Sequence, residues 1–175
     1  CAWEEAAATI GTTDTFPKGA VATAMIGETK VTLVGIVKGS GMIAPDMATM
    51  LGFLFTDVAA TSEALQLAVS SATNESFNRI TVDSDTSTSD TVLLFSTGAA
   101  GNEPIDGPNH PAWADFSAAV FEVCLDLAHQ IVRDGEGANK FIEIHVEGAV
   151  SDESAEIVAR SIADSPLVKT AMAAE

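Results

Sequence analysis

The chain has 175 residues, enough for one well-buried core, and 47% of them are hydrophobic, as in ordinary globular domains. Its 8 basic and 25 acidic side chains give a formal net charge of −17. That balance argues against a nucleic-acid surface, which needs clustered Lys and Arg, and against an anionic membrane surface.

No apolar run reaches the ~18 residues of a membrane span. The start, CAWEEAAATIG, carries acids and no basic flank, so it does not read as a signal peptide but as the tail of a helix. AVATAMI and KVTLVGIV, separated by Gly27-Glu28-Thr29, read as a β-hairpin rich in β-branched residues in its second arm. Met50 to Asp57 is apolar for six residues, MLGFLF, and reads as a strand buried on both faces. Thr61 or Ser62 is placed to cap a helix running to about Phe77, with Leu65, Leu67, Ala68 and Ala72 facing inward. Ile80–Asp83 is a short extended piece. Asp83–Asp90 is dense in Asp, Ser and Thr, a turn-forming composition. Thr91–Thr97 reads as another strand.

Glycines and prolines make residues 98–111 an irregular loop. Phe116, Val120, Val123, Cys124, Leu127 and Ile131 then recur at helical spacing from about Ala112 to Val132. Lys140–Glu147 alternates as a strand does. Ser151 is the N-cap of a last helix carrying Ile157, Val158, Ile162 and Leu167. This mixture is α/β or α+β. The opening strands do not alternate with helices, which disfavours a doubly wound nucleotide fold.

Cys1 and Cys124 have no CxxC spacing, so neither a disulfide framework nor a zinc site is indicated, and a reducing cytoplasm fits. Cys124 reads as a small core residue. His110, His129 and His145 share no ligand spacing and receive no role.

The stretch with chemical content is KGSGMIAPDMATMLGFLFTD, Lys38 to Asp57. A Gly/Pro loop delivers a small residue, Ala48, and then Thr49 to the start of an apolar strand. A threonine in such a place can be an ordinary strand residue. It can also be a self-cleaving nucleophile: cutting Ala48–Thr49 would leave a hydroxyl beside its own free amine as base.

With TTDTFPKGA (Thr12–Ala20) before it, and DSDTSTSDTVLL (Asp83–Leu94) and DGEGANKF (Asp134–Phe141) after it, this stretch resembles the ornithine acetyltransferase family, the glutamate N-acetyltransferases of the cyclic arginine pathway. Members of that family extend beyond this chain on both sides, so it is expected to be an internal single-domain fragment. The resemblance implies a layered αββα sandwich in which two β-sheets lie between helices. It implies cleavage at Ala48/Thr49, with residues 1–48 ending an α-chain and 49–175 opening a β-chain. It also implies a cytoplasmic heterotetramer of two α and two β chains.

The implied reaction moves acetyl from N-acetylornithine to glutamate through an acetyl-Thr49 ester, with ping-pong kinetics. No cofactor or metal is implied, and acetyl-CoA stays open as a second donor. Lys38 is implied to meet the substrate carboxylate, Glu136 its amine, and Thr12 the substrate as well, with Thr13 left as the alternative. Asp85 and Asp90 are placed to organise the site or bind a cation, but aspartates in a Ser/Thr-rich turn are more often structural, and that reading is favoured. Asp46 stands where the family pattern has asparagine. The oxyanion-hole pair is expected before residue 1 and part of the pocket after residue 175, so the fragment alone is expected to be inactive. Two alternatives are a self-processing aminopeptidase with the same kind of nucleophile, and an unprocessed chain that serves only binding or assembly.

Overall fold

The computed structural model describes residues 2–44, 50–85 and 89–174. Its order is α1 (Ala2–Ile10), β1 (Lys18–Ile26), β2 (Thr29–Lys38), β3 (Leu51–Thr56), α2 (Ser62–Glu75), a 3-10 turn (Phe77–Arg79), β4 (Thr91–Ser96), α3 (Trp113–Arg133), α4 (Asp152–Ala163) and α5 (Pro166–Ala173).

The four strands form one sheet in sequence order. β1 and β2 are the expected hairpin. Ile26 pairs with Thr29, leaving a two-residue loop in which Gly27 takes φ 63°, a conformation that suits glycine. β2 and β3 are antiparallel, with Lys38 opposite Leu51. β3 and β4 are parallel, joined by a crossover that contains α2.

The two faces of the sheet differ. Ala20, Ala22, Val31, Leu33, Val37 and Leu54 point to one face and are buried. The amphipathic α3 covers β1 and β2 on this face, and α2 packs between α3 and β4. Gly35 makes this close approach feasible: a Cβ there would lie 2.7 Å from Val123 and 2.8 Å from Leu127. On the other face α1 packs near β1 and β2, and Trp3 meets Phe55, which stacks on Phe95. Much of that face stays open, with Val21 64%, Met25 50% and Phe95 44% exposed. A mixed sheet with helices on one face and an apolar, half-covered second face is consistent with one half of an αββα sandwich.

Several expectations need correction. β3 is not buried on both faces: Leu51, Phe53 and Phe55 are only half-buried, because α1 covers just part of their side. Thr61 caps α2 through the Ala64 N–H, but Leu67 is 50% exposed. The inward line of α2 runs through Ala64, Ala68 and Ala72, four residues apart, and Leu67 falls off it.

Lys140–Glu147 joins no ladder among the described residues; Phe141 instead leans on His129 and the Arg133 guanidinium. Alternation defines a face for a strand without supplying its partner. The last helix is in fact two. Ser151 caps α4 as expected, then Ser165 and Pro166 begin α5, which carries Leu167. Neither helix has a buried residue: Ile157 and Leu167 are largely exposed, and Val158 and Ile162 only partly covered. Cys124 is buried and free, and burial pushes its thiol up to about 12. No described helix is long and apolar enough to cross a membrane.

Gly35→Ala tests the packing of α3 on β2. The added methyl has to displace Val123 and Leu127, and denaturant unfolding should show a loss of about 1–3 kcal/mol. An unchanged midpoint would mean that the helix can lift off the sheet freely.

Candidate active site

Two lysines stand at one end of the sheet, on opposite faces. Lys18 pairs in register with Val37, whose side chain is in the core, so it points inward. Lys38 follows Val37 and points the other way. Both are buried, Lys18 at 0% and Lys38 at 7% exposure. A buried ammonium must be paired and hydrogen-bonded to persist.

Lys18 lies between two carboxylates. Its Nζ is 2.5 Å from Asp14 Oδ1 and also bonds Asp134 Oδ2. The Phe16 ring lies 5.0 Å from the same nitrogen, a cation–π contact. The carboxylates are themselves satisfied by backbone. Asp14 accepts the Gly39 N–H at 2.8 Å and the Thr12 N–H at 3.1 Å. Asp134 accepts the N–H and the hydroxyl of Thr15. Asp134 also ends α3, so Lys18 sets a positive charge at a helix C-terminus, where the macrodipole favours it.

This cluster ties the three segments that hold the expected substrate residues. Asp14 joins TTDTFPK to Gly39, beside Lys38. The Asp134 carbonyl accepts from Ser40 Oγ at 2.6 Å, and the Ser40 carbonyl accepts the Glu136 N–H at 2.9 Å. Glu136 is exposed, and its carboxylate packs on Gly41. A Cβ on Gly41 would lie 3.1–3.3 Å from the Glu136 carboxyl atoms, so the glycine leaves the acid its room.

Lys38 Nζ donates to Thr12 Oγ1 at 3.5 Å, a long bond that leaves donor capacity over. Of the two adjacent threonines, Thr12 is therefore the one whose hydroxyl meets Lys38. The arrangement is a buried cation beside a hydroxyl, with an exposed acid on the adjoining turn. A small molecule with a carboxylate and an amine fits that combination.

Thr49 and Ala48, the expected nucleophile and cleavage position, lie outside the described residues, as does Asp46. The described residues on either side of them are held by the DSDTSTSD stretch. Asp83 accepts the Met42 and Ile43 N–H groups at 2.6 and 2.9 Å, and the Ile43 carbonyl accepts the Val82 N–H. Met42 sits at φ 51°, uncommon for a non-glycine residue. Asp90 accepts the Met50 N–H at 2.7 Å, and the Met50 carbonyl accepts the Thr91 N–H.

Burial raises the Asp90 carboxyl, with the Met50 N–H and Lys38 opposing it in part. Asp85 is exposed, and its N–H donates to Asp83. No group of three or more His, Cys, Asp or Glu that could hold a metal ion occurs among the described residues. His110 accepts the Ala112 N–H next to the start of α3, a structural use.

Sequence reasoning missed Asp14, Lys18 and Asp134. One signal was available for Lys18: it has the same strand parity as Ala20, Ala22 and Ile26, which marks it as inward-facing. The carboxylate partners come from a loop and from a helix end 116 residues away, beyond any local pattern.

The fold is that of a layered α/β protein, with the candidate site residues gathered by loops at one sheet end. The model of the ArgJ family matches residues 2–175, and the chain belongs to that family. It is 59% identical to the "Arginine biosynthesis bifunctional protein ArgJ" of Zymomonas mobilis over 99% of this chain and 42% of that protein. The protein of the same description from Caulobacter vibrioides is 57% identical over 99% of this chain and 43% of its own length. The crystal structure of "Arginine biosynthesis bifunctional protein argJ" from Bacillus halodurans superposes with a TM-score of 0.65 at 52% identity, covering 67% of this chain and 55% of that one. The chain thus spans less than half the length of these curated relatives.

Burial pushes Asp14 and Asp134 up, but hydrogen bonds outweigh it: the Gly39 N–H and Lys18 on Asp14, and Lys18 and Thr15 on Asp134. Both carboxyls are therefore held below the usual carboxylate range. Such groups stabilise the fold above their unfolded pKa of about 3.9, and the stabilisation is lost as pH falls through the folded value. Acid titration of unfolding should show this loss below about pH 4. Asp134→Asn should flatten that limb and cost, at neutral pH, toward the low end of the about 3–5 kcal/mol of a broken buried pair, because Asp14 remains.

Proposed function

We propose that the full-length protein carrying this chain moves an acetyl group from N-acetylornithine to glutamate in arginine biosynthesis, with Thr49 as the carrier. The observation that supports this most is the buried Lys38 ammonium reaching Thr12, in a chain of the ArgJ family. N-acetylornithine and glutamate share a free α-carboxylate next to the reacting nitrogen position. One cation in one place can hold that carboxylate in both half-reactions. Glu136 then faces the side-chain amine of ornithine.

The route begins with self-processing. Thr49 Oγ attacks the Ala48 carbonyl, an ester bond forms, and the Ala48–Thr49 peptide bond breaks as the nitrogen takes up the hydroxyl proton and becomes an amine. Water then hydrolyses the ester, leaving a carboxylate on Ala48 and a free α-amine on Thr49. With a pKa of about 7.7–8.0, that amine is partly neutral near pH 7 and accepts the hydroxyl proton. Thr49 Oγ next attacks the acetyl carbonyl of N-acetylornithine, and ornithine leaves as its amine, taking up the proton. The α-amine of glutamate attacks the acetyl-Thr49 ester and restores the hydroxyl. Transfer in two halves through one ester gives ping-pong kinetics.

Acetyl-CoA is a second candidate donor, able to load the same hydroxyl. The assembly that follows from this reading is a cytoplasmic heterotetramer of two α and two β chains. The donors for the developing oxyanion then come from parts of the protein outside this chain.

The test is acetyl transfer from N-acetylornithine to glutamate, with intact mass of the full-length protein before and after donor. Thr49→Ala should leave the precursor uncut and abolish transfer. A normally processed, active variant would remove Thr49 from the chemistry, and peptide hydrolysis without acetyl transfer would point to the aminopeptidase reading.

Lys38→Ala should raise KM for both substrates by about tenfold or more, the scale of one charge-assisted hydrogen bond. A fall in kcat alone, with KM intact, would remove Lys38 from carboxylate binding.

A further inference from the structure

Lys18 is more deeply buried than Lys38, yet no face of it is open to a substrate. Its ammonium is taken up by Asp14 and Asp134, whose side chains are 6% and 2% exposed, and by the ring of Phe16. A buried ion pair is weak evidence for stability, because well-packed apolar residues of the same volume usually do as well. What such residues would not supply is the set of backbone bonds that the two carboxylates make. Asp14 spans from Thr12 N–H to Gly39 N–H, one residue from Lys38. Asp134 spans to Thr15, and its own backbone carries Ser40 and, through it, Glu136.

We propose that Lys18 is a positioning residue: by clamping Asp14 against Asp134 it sets the mutual placement of Thr12, Lys38 and Glu136, and so the affinity for substrate. This rests on the acetyl-transfer reading above. Lys18 itself touches no reacting atom. The long bond from Lys38 to Thr12 fits a pocket whose two polar groups are aligned by a neighbouring frame more than by each other. Loss of the clamp frees three loops at once, and recognition groups that no longer meet the substrate together lose binding that ground state and transition state share, which raises KM more than it lowers kcat. Chemistry at Thr49 is affected less, because the described residues flanking it are held by Asp83 and Asp90 instead.

The experiment uses the full-length protein. Lys18→Met keeps the volume and removes the charge. It should raise KM for N-acetylornithine and for glutamate by about tenfold, with kcat within about threefold of the parent. Asp14→Asn, which keeps an oxygen for the Gly39 N–H, should raise both KM values less, and it carries the test if Lys18→Met does not fold. Gly35→Ala is the control for plain destabilisation, since it loosens the packing of α3 on β2 without removing any polar group of the cluster. It should lower the unfolding midpoint and leave KM alone.

Unchanged KM in the Lys18 and Asp14 variants, or an equal rise in Gly35→Ala, overturns the inference. If the parent protein transfers no acetyl at all, the functional reading fails by itself. Amide exchange of the ligand-free protein then decides the positioning question. Segments 12–15, 38–41 and 134–137 opening together in the Lys18 variant, but not in Gly35→Ala, support the clamp. Independent opening overturns it.

Discussion

An ammonium group at zero exposure is the constraint from which the sheet end is built. Lys18 cannot be buried alone: the desolvation cost of an isolated charge exceeds what burial of its stem returns. Two carboxylates have to converge on it. Each of them must then find partners for its remaining oxygen lone pairs inside the protein, and the nearest are backbone N–H groups of the loops around it. Gly39, Thr12 and Thr15 supply them. One buried charge therefore dictates the course of a loop from residue 12 to 15, a turn at 39–41 and the end of a helix at Asp134.

The sheet decides where that dictation is useful. In register, Lys18 lies opposite Val37, and Lys38 is the next residue along β2. Strand alternation sends the two lysines to opposite faces, one into the frame and one toward Thr12. The buried frame and the second lysine are thus separated by little more than the thickness of the sheet, and Asp14 links their surroundings by accepting from both Lys18 and Gly39, the residue after Lys38. A site that hung on three loops alone would inherit their mobility. Here the loops are pinned to the last residues of two central elements, β2 and α3.

What the sequence made legible follows from range. The hairpin, α2 with its Thr61 cap, α3 and the Ser151 cap are local patterns, readable from period and capping chemistry, and they formed nearly where expected. Leu67 was misplaced because apolar spacing alone did not say which of two adjacent faces of α2 would meet α3. Lys140–Glu147 was misread because period 2 describes a side-chain pattern, while a strand also needs a hydrogen-bonding neighbour. The juxtaposition of Thr12 with Lys38, 26 residues apart, was invisible to spacing and entered only through the resemblance. Lys18, Asp14 and Asp134 were passed over because a lysine near a strand start and acids in loops are usually solvated. Only the tertiary fold turns them into a buried cluster.

The DSDTSTSD stretch shows the same logic on the other side of the site. Read as sequence, it is a polar turn. In the fold its first and last aspartates each take the N–H of a residue that flanks positions 45–49: Asp83 those of Met42 and Ile43, Asp90 that of Met50. Each flank is bound a second time through its carbonyl, by the Val82 and Thr91 N–H groups. A backbone conformation as unfavourable as Met42 at φ 51° persists only where its surroundings over-determine it, and here a carboxylate and a neighbouring chain do so. Self-cleavage of a peptide bond needs the same condition, since a distorted amide relaxes unless both of its flanks are held. The two frames divide the labour accordingly. One ties together the segments that carry Thr12, Lys38 and Glu136, the groups expected to meet a substrate, and the other restrains the chain on either side of the residue expected to carry the acyl group.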